Sequence, residues 1–277
     1  MLLNRAEMSF DWQGARFDPE RDRELLAFIF SQFLYGEVTG VQVGHWLRRA
    51  PDLESAIFLA RQATEEMAHV RSFLEIFRQI GARPEAPHRV VRFLATDFMG
   101  GSFAEHTCLE MALGEGFVLM VMYALIDTID HAGVVRILEV AAPQEERHVA
   151  FGEEHTARAA LASAAARDHL LGLSLVSLLS LAKIAPQVRR LAPNHPVIGR
   201  MPEFLAATVR SSELRLQRMG LLSGSLADLS PGRRSWLILG AMARRNLRRF
   251  LPQETQPLTG NYLSDPMVQR LLDAGRS

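Results

Sequence analysis

The amino-acid sequence predicts an all-α protein, a four-helix bundle followed by additional C-terminal helices. Three observations predict it. Apolar residues recur at steps of three and four along successive segments, the period of one helix face. Two Glu-x-x-His motifs, Glu66 to His69 and Glu145 to His148, each have a lone glutamate upstream, Glu37 by 29 residues and Glu115 by 30. Turn-forming residues stand midway in both intervals, at Pro51 and beside Asp130. A helix rises about 1.5 Å per residue, so equal arms about a short turn return each lone glutamate to the level of its Glu-x-x-His partner.

Taken in order, residues 1–18 read as an irregular arm whose Trp12 and Phe17 tuck against the bundle domain, 19–165. Asp18-Pro19-Glu20 starts the first helix with a cap, a first-turn proline and an acid at the positive end. Its stripe runs through Leu26, Phe30, Phe33 or Leu34, Glu37 and Val41, so a carboxylate interrupts an apolar face. Burying a carboxylate unpaired is costly; Glu37 must be neutral, paired or bound to a metal. After the turn Arg49-Ala50-Pro51-Asp52, the second helix covers about 52–80, with Leu59, Ala63, Glu66, His69, Phe73 and Ile76 on one stripe and Gly81 at its end.

Residues 82–101 connect the two hairpins through a short helix near 90–99. Glu85 to His88 also fits Glu-x-x-His, but Pro84 and Pro87 forbid a regular helix there. The third helix, about 102–130, carries Met111, Glu115, Val118, Leu119 and Met122. On an α-helix Glu110, five residues before Glu115, points elsewhere. His131-Ala132-Gly133 breaks the chain before a fourth helix at about 134–165. Its Pro143 predicts a kink or a restart just before Glu145, or a helix that begins at the proline.

Residues 166–277 predict a helical extension packed on the bundle, with an apolar run at 170–185, helices at 203–219 and 235–250, and a closing helix near 266–273. Ser174, Ser177, Ser180 and Lys183 interrupt the apolar run, which falls short of a membrane span. This part holds 16 basic against 7 acidic residues in a chain of zero formal net charge. Arg189-Arg190, Arg233-Arg234, Arg244-Arg245 and Arg248-Arg249 read as a solvated face or as partners of the acidic first part, rather than as a nucleic-acid surface. The single cysteine, Cys108, excludes an internal disulfide and fits a reducing cytoplasm, and no N-terminal stretch reads as a signal peptide.

Residues three apart share a helix face, so each Glu-x-x-His offers a carboxylate and an imidazole in one direction. Four Glu and two His converging inside a bundle are the ligand set of carboxylate-bridged di-iron and di-manganese proteins. Hard carboxylates with one imidazole per metal suit Fe or Mn better than Zn or Cu. The run from Glu145 to Gly152, Glu-Glu-Arg-His-Val-Ala-Phe-Gly, resembles the last metal motif of the ferritin-like superfamily, particularly its ribonucleotide reductase small-subunit-like and di-iron oxygenase branch. The resemblance spans roughly residues 20–165.

The resemblance implies that Glu37, Glu66, His69, Glu115, Glu145 and His148 are the metal ligands and catalytic residues. It also implies that Glu65 holds His148 by a hydrogen bond, and that Gln144, where an Asp is common, holds His69 without charge. Phe73 stands where reductase small subunits place their radical tyrosine, and the only tyrosines are Tyr35, Tyr123 and Tyr262; a conventional tyrosyl radical is not expected. Phe33, Phe73, Leu119, Met122, Val149 and Phe151 are expected to form an apolar chamber. His155 reads as a core or ligand-supporting histidine, and His45, His106, His131, His169 and His195 have no partner at metal spacing. The expected activity is that of a cytoplasmic, homodimeric non-haem di-iron oxygenase or oxidase, with two Fe ions or a Mn/Fe pair. It would take dioxygen, electrons from an external donor and a small, largely apolar substrate. The alternatives are an iron-handling or peroxide-scavenging protein, or a hydroxylase of modified tRNA.

Overall fold

The computed structural model describes residues 5–40, 43–98, 100–248, Pro266 and Arg270. Every regular element among them is helical, and one isolated bridge joins Phe17 to Ile129. That bridge seats the N-terminal arm: the Phe17 N–H donates to Thr128 O at 2.8 Å, and Phe17 O accepts from Asp130 N at 3.0 Å. Trp12 and Phe17 are buried, as their size led one to expect.

The first helix, α1, spans Arg23–Gly40 and begins later than the sequence predicts. Asp18 Oδ1 accepts from the N–H groups of Glu20 and Arg21 at 2.9 and 3.0 Å, while the Asp22 carboxylate accepts from Asp18 N at 2.8 Å. Those bonds build a turn first, and the helix starts beyond it. A short α2, Val43–Leu47, precedes the turn, and α3 covers Leu53–Gln79. Asp52 caps α3 by accepting from Ser55 N at 2.7 Å.

The connection holds α4, Arg89–Arg92, and a π turn over Phe93–Asp97. The predicted third helix is one continuous path of three geometries: α5 over Phe103–His106, a π-helical segment over Thr107–Glu115, and α6 over Gly116–Thr128. Next, α7 runs Ala132–Ala162 as a single helix straight through Pro143, with no restart there. Its predicted breaker is instead its cap, since His131 Nδ1 accepts from Val134 N at 3.2 Å. The Ala-rich tail is divided by Ser163, which caps α8, Ala164–Leu181. There follow α9 (Ala185–Leu191), α10 (Pro196–Gly199), α11 (Met201–Arg218) and α12 (Pro231–Arg248). The predicted closing helix at 266–273 lies outside the described residues apart from Pro266 and Arg270.

Helix α1 packs on α3, α3 on α7, and α7 on both the π segment and α6. Phe30, Phe73, Leu119 and Leu138 are fully buried at the centre, each such side chain stabilising the fold by about 1.5–3 kcal/mol relative to exposure. Gly152 lets α7 touch the π segment, since a Cβ there would lie 2.6 Å from Ala112 N and from Met111 Cβ. A second core joins Cys108, Ala112 and Leu113 to Leu171, Leu175, Leu216 and Leu237, so the extension shares its interior with the helix that carries Glu115. Arg215 of α11, only 2% exposed, donates to Glu153 of α7 at 2.6 Å.

Two stretches, Phe103–Thr128 and Ala164–Leu191, are long and apolar enough to cross a membrane by length and composition. The apolar run at 170–185 is therefore part of a longer helical path than the sequence suggested. The first stretch is mostly inside the molecule and bears Glu115; α8 in the second packs on α12 and the π segment.

Candidate metal centre

All six predicted site residues meet between α1, α3, α7 and the end of the π segment. Glu37, Glu66, His69, Glu145 and His148 are buried, and Glu115 nearly so. They fall into two groups, Glu37, Glu66, His69 and Glu145, and Glu66, Glu115 and His148; within each, one potential ligand atom per residue lies within 4.8 Å of the others. Either group could hold a metal ion, and Glu66 belongs to both.

Distances give the layout. His69 Nδ1 is 3.1 Å from Glu37 Oε2 and 3.0 Å from Glu145 Oε1. His148 Nδ1 is 3.3 Å from Glu66 Oε1, 3.7 Å from Glu145 Oε2 and 3.9 Å from Glu115 Oε2. Glu145 thus reaches towards both imidazoles, which stand 6.4 Å apart. The far nitrogens are held from behind. His69 Nε2 donates to Gln144 Oε1 at 2.6 Å, and His148 Nε2 donates to Glu65 Oε2 at 2.8 Å. Both rings therefore turn Nδ1 inward. Arg61 and Arg147 donate to Glu65 Oε1 at 3.0 and 2.8 Å, and Gln62 donates to Glu115 Oε1 at 2.9 Å.

Electrostatics separate this cluster from an ordinary ion-pair network. Burial, and then the charges of Glu37 and Glu145, push Glu66 well above the usual carboxylate range. Burial, with Glu145 and Glu110, does the same to Glu115. Burial opposes charge on His69, yet contact with Glu145 and Glu37 raises it to about 11. Glu145 goes the other way: burial would raise it, but His148 and His69 hold it at about 2. Four carboxylates and two imidazoles thus share too few positive charges, and protons make up the difference. Glu66 Oε1, Glu115 Oε2 and His148 Nδ1 are buried with no hydrogen-bond partner. Buried polar atoms are ordinarily satisfied. Unsatisfied oxygens and an imidazole nitrogen aimed at shared points are what divalent cations would complete, and the donor set suits Fe or Mn.

The structure brings Glu110 to the site as well, against the sequence expectation. That expectation assumed α geometry; in a π-helix the hydrogen bonds close from i to i+5, and residues five apart return to nearly the same face. Glu110 and Glu115 consequently line one cavity, and Glu110 helps to raise Glu115. Behind it, His106 Nδ1 lies 2.7 Å from Glu110 Oε2, and the His106 ring stacks on Trp46 with centroids 4.5 Å apart. Three of the histidines expected to have no partner at metal spacing pair with carboxylates: His106 with Glu110 four residues on, and His169 and His195 with the distant Glu105 at 2.7 Å and Asp22 at 3.0 Å. The i, i+4 spacing of His106 and Glu110 was the available signal.

The expected chamber is also relocated. Of its six residues only Phe33 lines the cavity beside the carboxylates; Phe73, Leu119, Met122 and Val149 are core, and Phe151 stacks on Phe58. His155 sits among Phe103, Phe151 and Ser55. His88 caps α4, away from the site. Neither Tyr35 nor Tyr123 lines the cavity, and the Tyr123 hydroxyl donates to Glu146. Cys108 is fully buried, which pushes its thiol up to about 12. Within the fold Arg233 pairs with Asp168, Arg234 donates to Leu226 O, and Arg244 to Ala165 O.

No protein family, curated protein or solved structure matches this chain. The geometry alone carries the functional reading.

Proposed function

We propose that the protein is a non-haem di-iron oxygenase or oxidase on a ferritin-like four-helix bundle, in which α1, α3, α6 with its π segment, and α7 supply the ligands. One observation carries the reading: two buried acid–histidine groups share Glu66, and Glu66 Oε1, Glu115 Oε2, Glu145 Oε1 and His148 Nδ1 are buried there without a hydrogen-bond partner. Glu37, Glu66, His69, Glu115, Glu145 and His148 would hold the two metals, the histidines through Nδ1. A ferrous pair bound there would supply the redox chemistry for reducing dioxygen while an organic substrate is oxidised. The chain's own residues do the rest. Gln144 and Glu65 fix each imidazole's tautomer and direction, and Gln62 fixes the Glu115 carboxylate. The apolar walls of the cavity exclude water and place the substrate beside Glu37 and Glu115.

An apolar cavity favours an organic substrate over the passage of hydrated iron, which would have to shed its water against hydrocarbon. A homodimer and an external electron donor belong to the same reading. The test is metal content per chain, followed by an optical spectrum after anaerobic Fe(II) loading and exposure to air. About two irons with a new oxygen-dependent band support the proposal; no bound metal after loading overturns it.

A further inference from the structure

The cavity at the carboxylates extends along α1. On α1 its wall includes Phe28 at one end and Gly40 at the other, twelve residues and so about 18 Å along the helix. On the other side Val118 and Val121 continue from Glu115 along one stripe of α6, and Phe204 of α11 stands at the distant end. The cavity has a volume of about 270 Å³. Glu37, Glu66, Glu110, Glu115 and Glu145 line it at the metal centre; the rest of its wall is apolar save for Gln32, Thr39 and Ser177. Two of these are already engaged. Gln32 donates to Phe28 O and accepts from His88 N, both at 2.7 Å, and Thr39 donates to Gly36 O at 2.7 Å.

Gly36 sharpens the point. It lies inside α1, where glycine weakens a helix, one residue from Glu37. Neither backbone nor packing demands it: its φ is not positive, and a Cβ built there would meet nothing within 4 Å. What an added side chain would enter is the passage itself.

We propose that the substrate presents its reacting carbon on an extended apolar chain lying between α1 and α6, and that Gly36 is the specificity-determining position that keeps this channel open. The proposal rests on the reading of the carboxylate cluster as an oxygen-activating centre, but its binding half is testable without metal. The chain occupies the channel with its reacting end beside Glu37 and Glu115.

The experiment uses the full-length, metal-free protein and the straight-chain alcohols from hexanol to dodecanol, measured by displacement of an apolar fluorescent dye. Burial of each further methylene should tighten binding about threefold to fourfold until the channel is filled. Gly36→Leu and Val121→Trp should each weaken dodecanol binding at least tenfold and hexanol binding far less, with circular dichroism and melting midpoint retained. Val121 stands six residues from Glu115, so this second variant separates channel blockage from damage to the ligands. Iron content of both variants should stay at the wild-type level. Affinity independent of chain length, equal binding of cyclododecanol, or undiminished dodecanol binding in both variants overturns the proposal. A normal length series in a protein that binds no iron would instead sink the di-iron reading and leave the channel standing.

Discussion

The two halves of the metal centre use the same residue types and differ in what stands behind them. On one side α1 and α3 bring Glu37, Glu66 and His69, and the imidazole is backed by the uncharged Gln144. On the other, the π segment and α7 bring Glu115 and His148 to the shared Glu66, and the imidazole is backed by Glu65. Burial would raise the Glu65 carboxyl, but bonds from His148, Arg61 and Arg147 hold it below the usual range, so it is charged. A charged acceptor makes His148 the stronger donor ligand. Ligands that repeat in sequence thus build two sites of unequal electronic character, and any pair of metals held here is asymmetric.

The largest expected effect erases the comparison altogether. Glu66 belongs to both groups, so Glu66→Ala should lower iron from two per chain towards none in elemental analysis. The same change should raise the melting midpoint of the metal-free protein by removing a buried, repelled carboxylate. Two retained irons would show that Glu66 is not shared. Next come the lone glutamates, which should split the halves. Glu37→Ala should lose the metal beside His69 and Glu115→Ala the one beside His148, one iron each with helicity unchanged; full occupancy in either variant removes that residue from the ligand set.

A smaller effect would sharpen the asymmetry. Glu65→Gln makes both backing groups neutral and should weaken the tighter iron site by about 10–100-fold, the range seen for such supporting partners. Gln144→Glu should strengthen the weaker site and draw the two affinities together. Iron titration by calorimetry reads both, and two unchanged binding steps would show that the backing residues do not set the difference.

The smallest effect is in pH. Glu66, Glu115, His69 and His148 all hold their protons more tightly in the folded metal-free protein than is usual for their kinds. Their contribution is complete below the unfolded values and is lost as pH rises; for His69 the window runs from 6.5 to about 11. Glu145 acts oppositely, its share being lost only as pH falls through about 2. The melting midpoint of metal-free protein should therefore fall by a few degrees between pH 6.5 and 9, and loading with iron, which displaces those protons, should flatten the trend. An equal slope with and without iron would contradict this account.

Much of the centre was legible in the sequence because helical periodicity and equal spacing about turns are one-dimensional signals. Glu37, Glu66, His69, Glu115, Glu145 and His148 meet as the spacing implies, and Gln144 and Glu65 hold the opposite histidines. What was lost is what periodicity cannot carry. Nothing in Thr107–Glu115 announces a π-helix, so Glu110 was assigned to the wrong face. An apolar stripe shows which residues turn inward but not which of them border a void, so Phe73 and Leu119 were taken for chamber walls when they are core. Side-chain bonds of Asp18 and Asp22 delayed α1, and Pro143 lies inside one continuous helix where a kink, a restart or a helix start was expected.

The pair formed by Arg215 and Glu153 bears on how far the chain can be divided. Arg215 also lies where a Cβ on Gly116, next to Glu115, would approach its guanidinium at 3.1 Å. A gene truncated after residue 165 would keep all six ligands yet remove Arg215 from Glu153 and uncover Cys108, Ala112 and Leu113, whose apolar partners come from the C-terminal helices. The C-terminal helices are then no dispensable attachment. The ligand-bearing segment is not a portable module, and it should be expressed, exchanged or transplanted only together with α11.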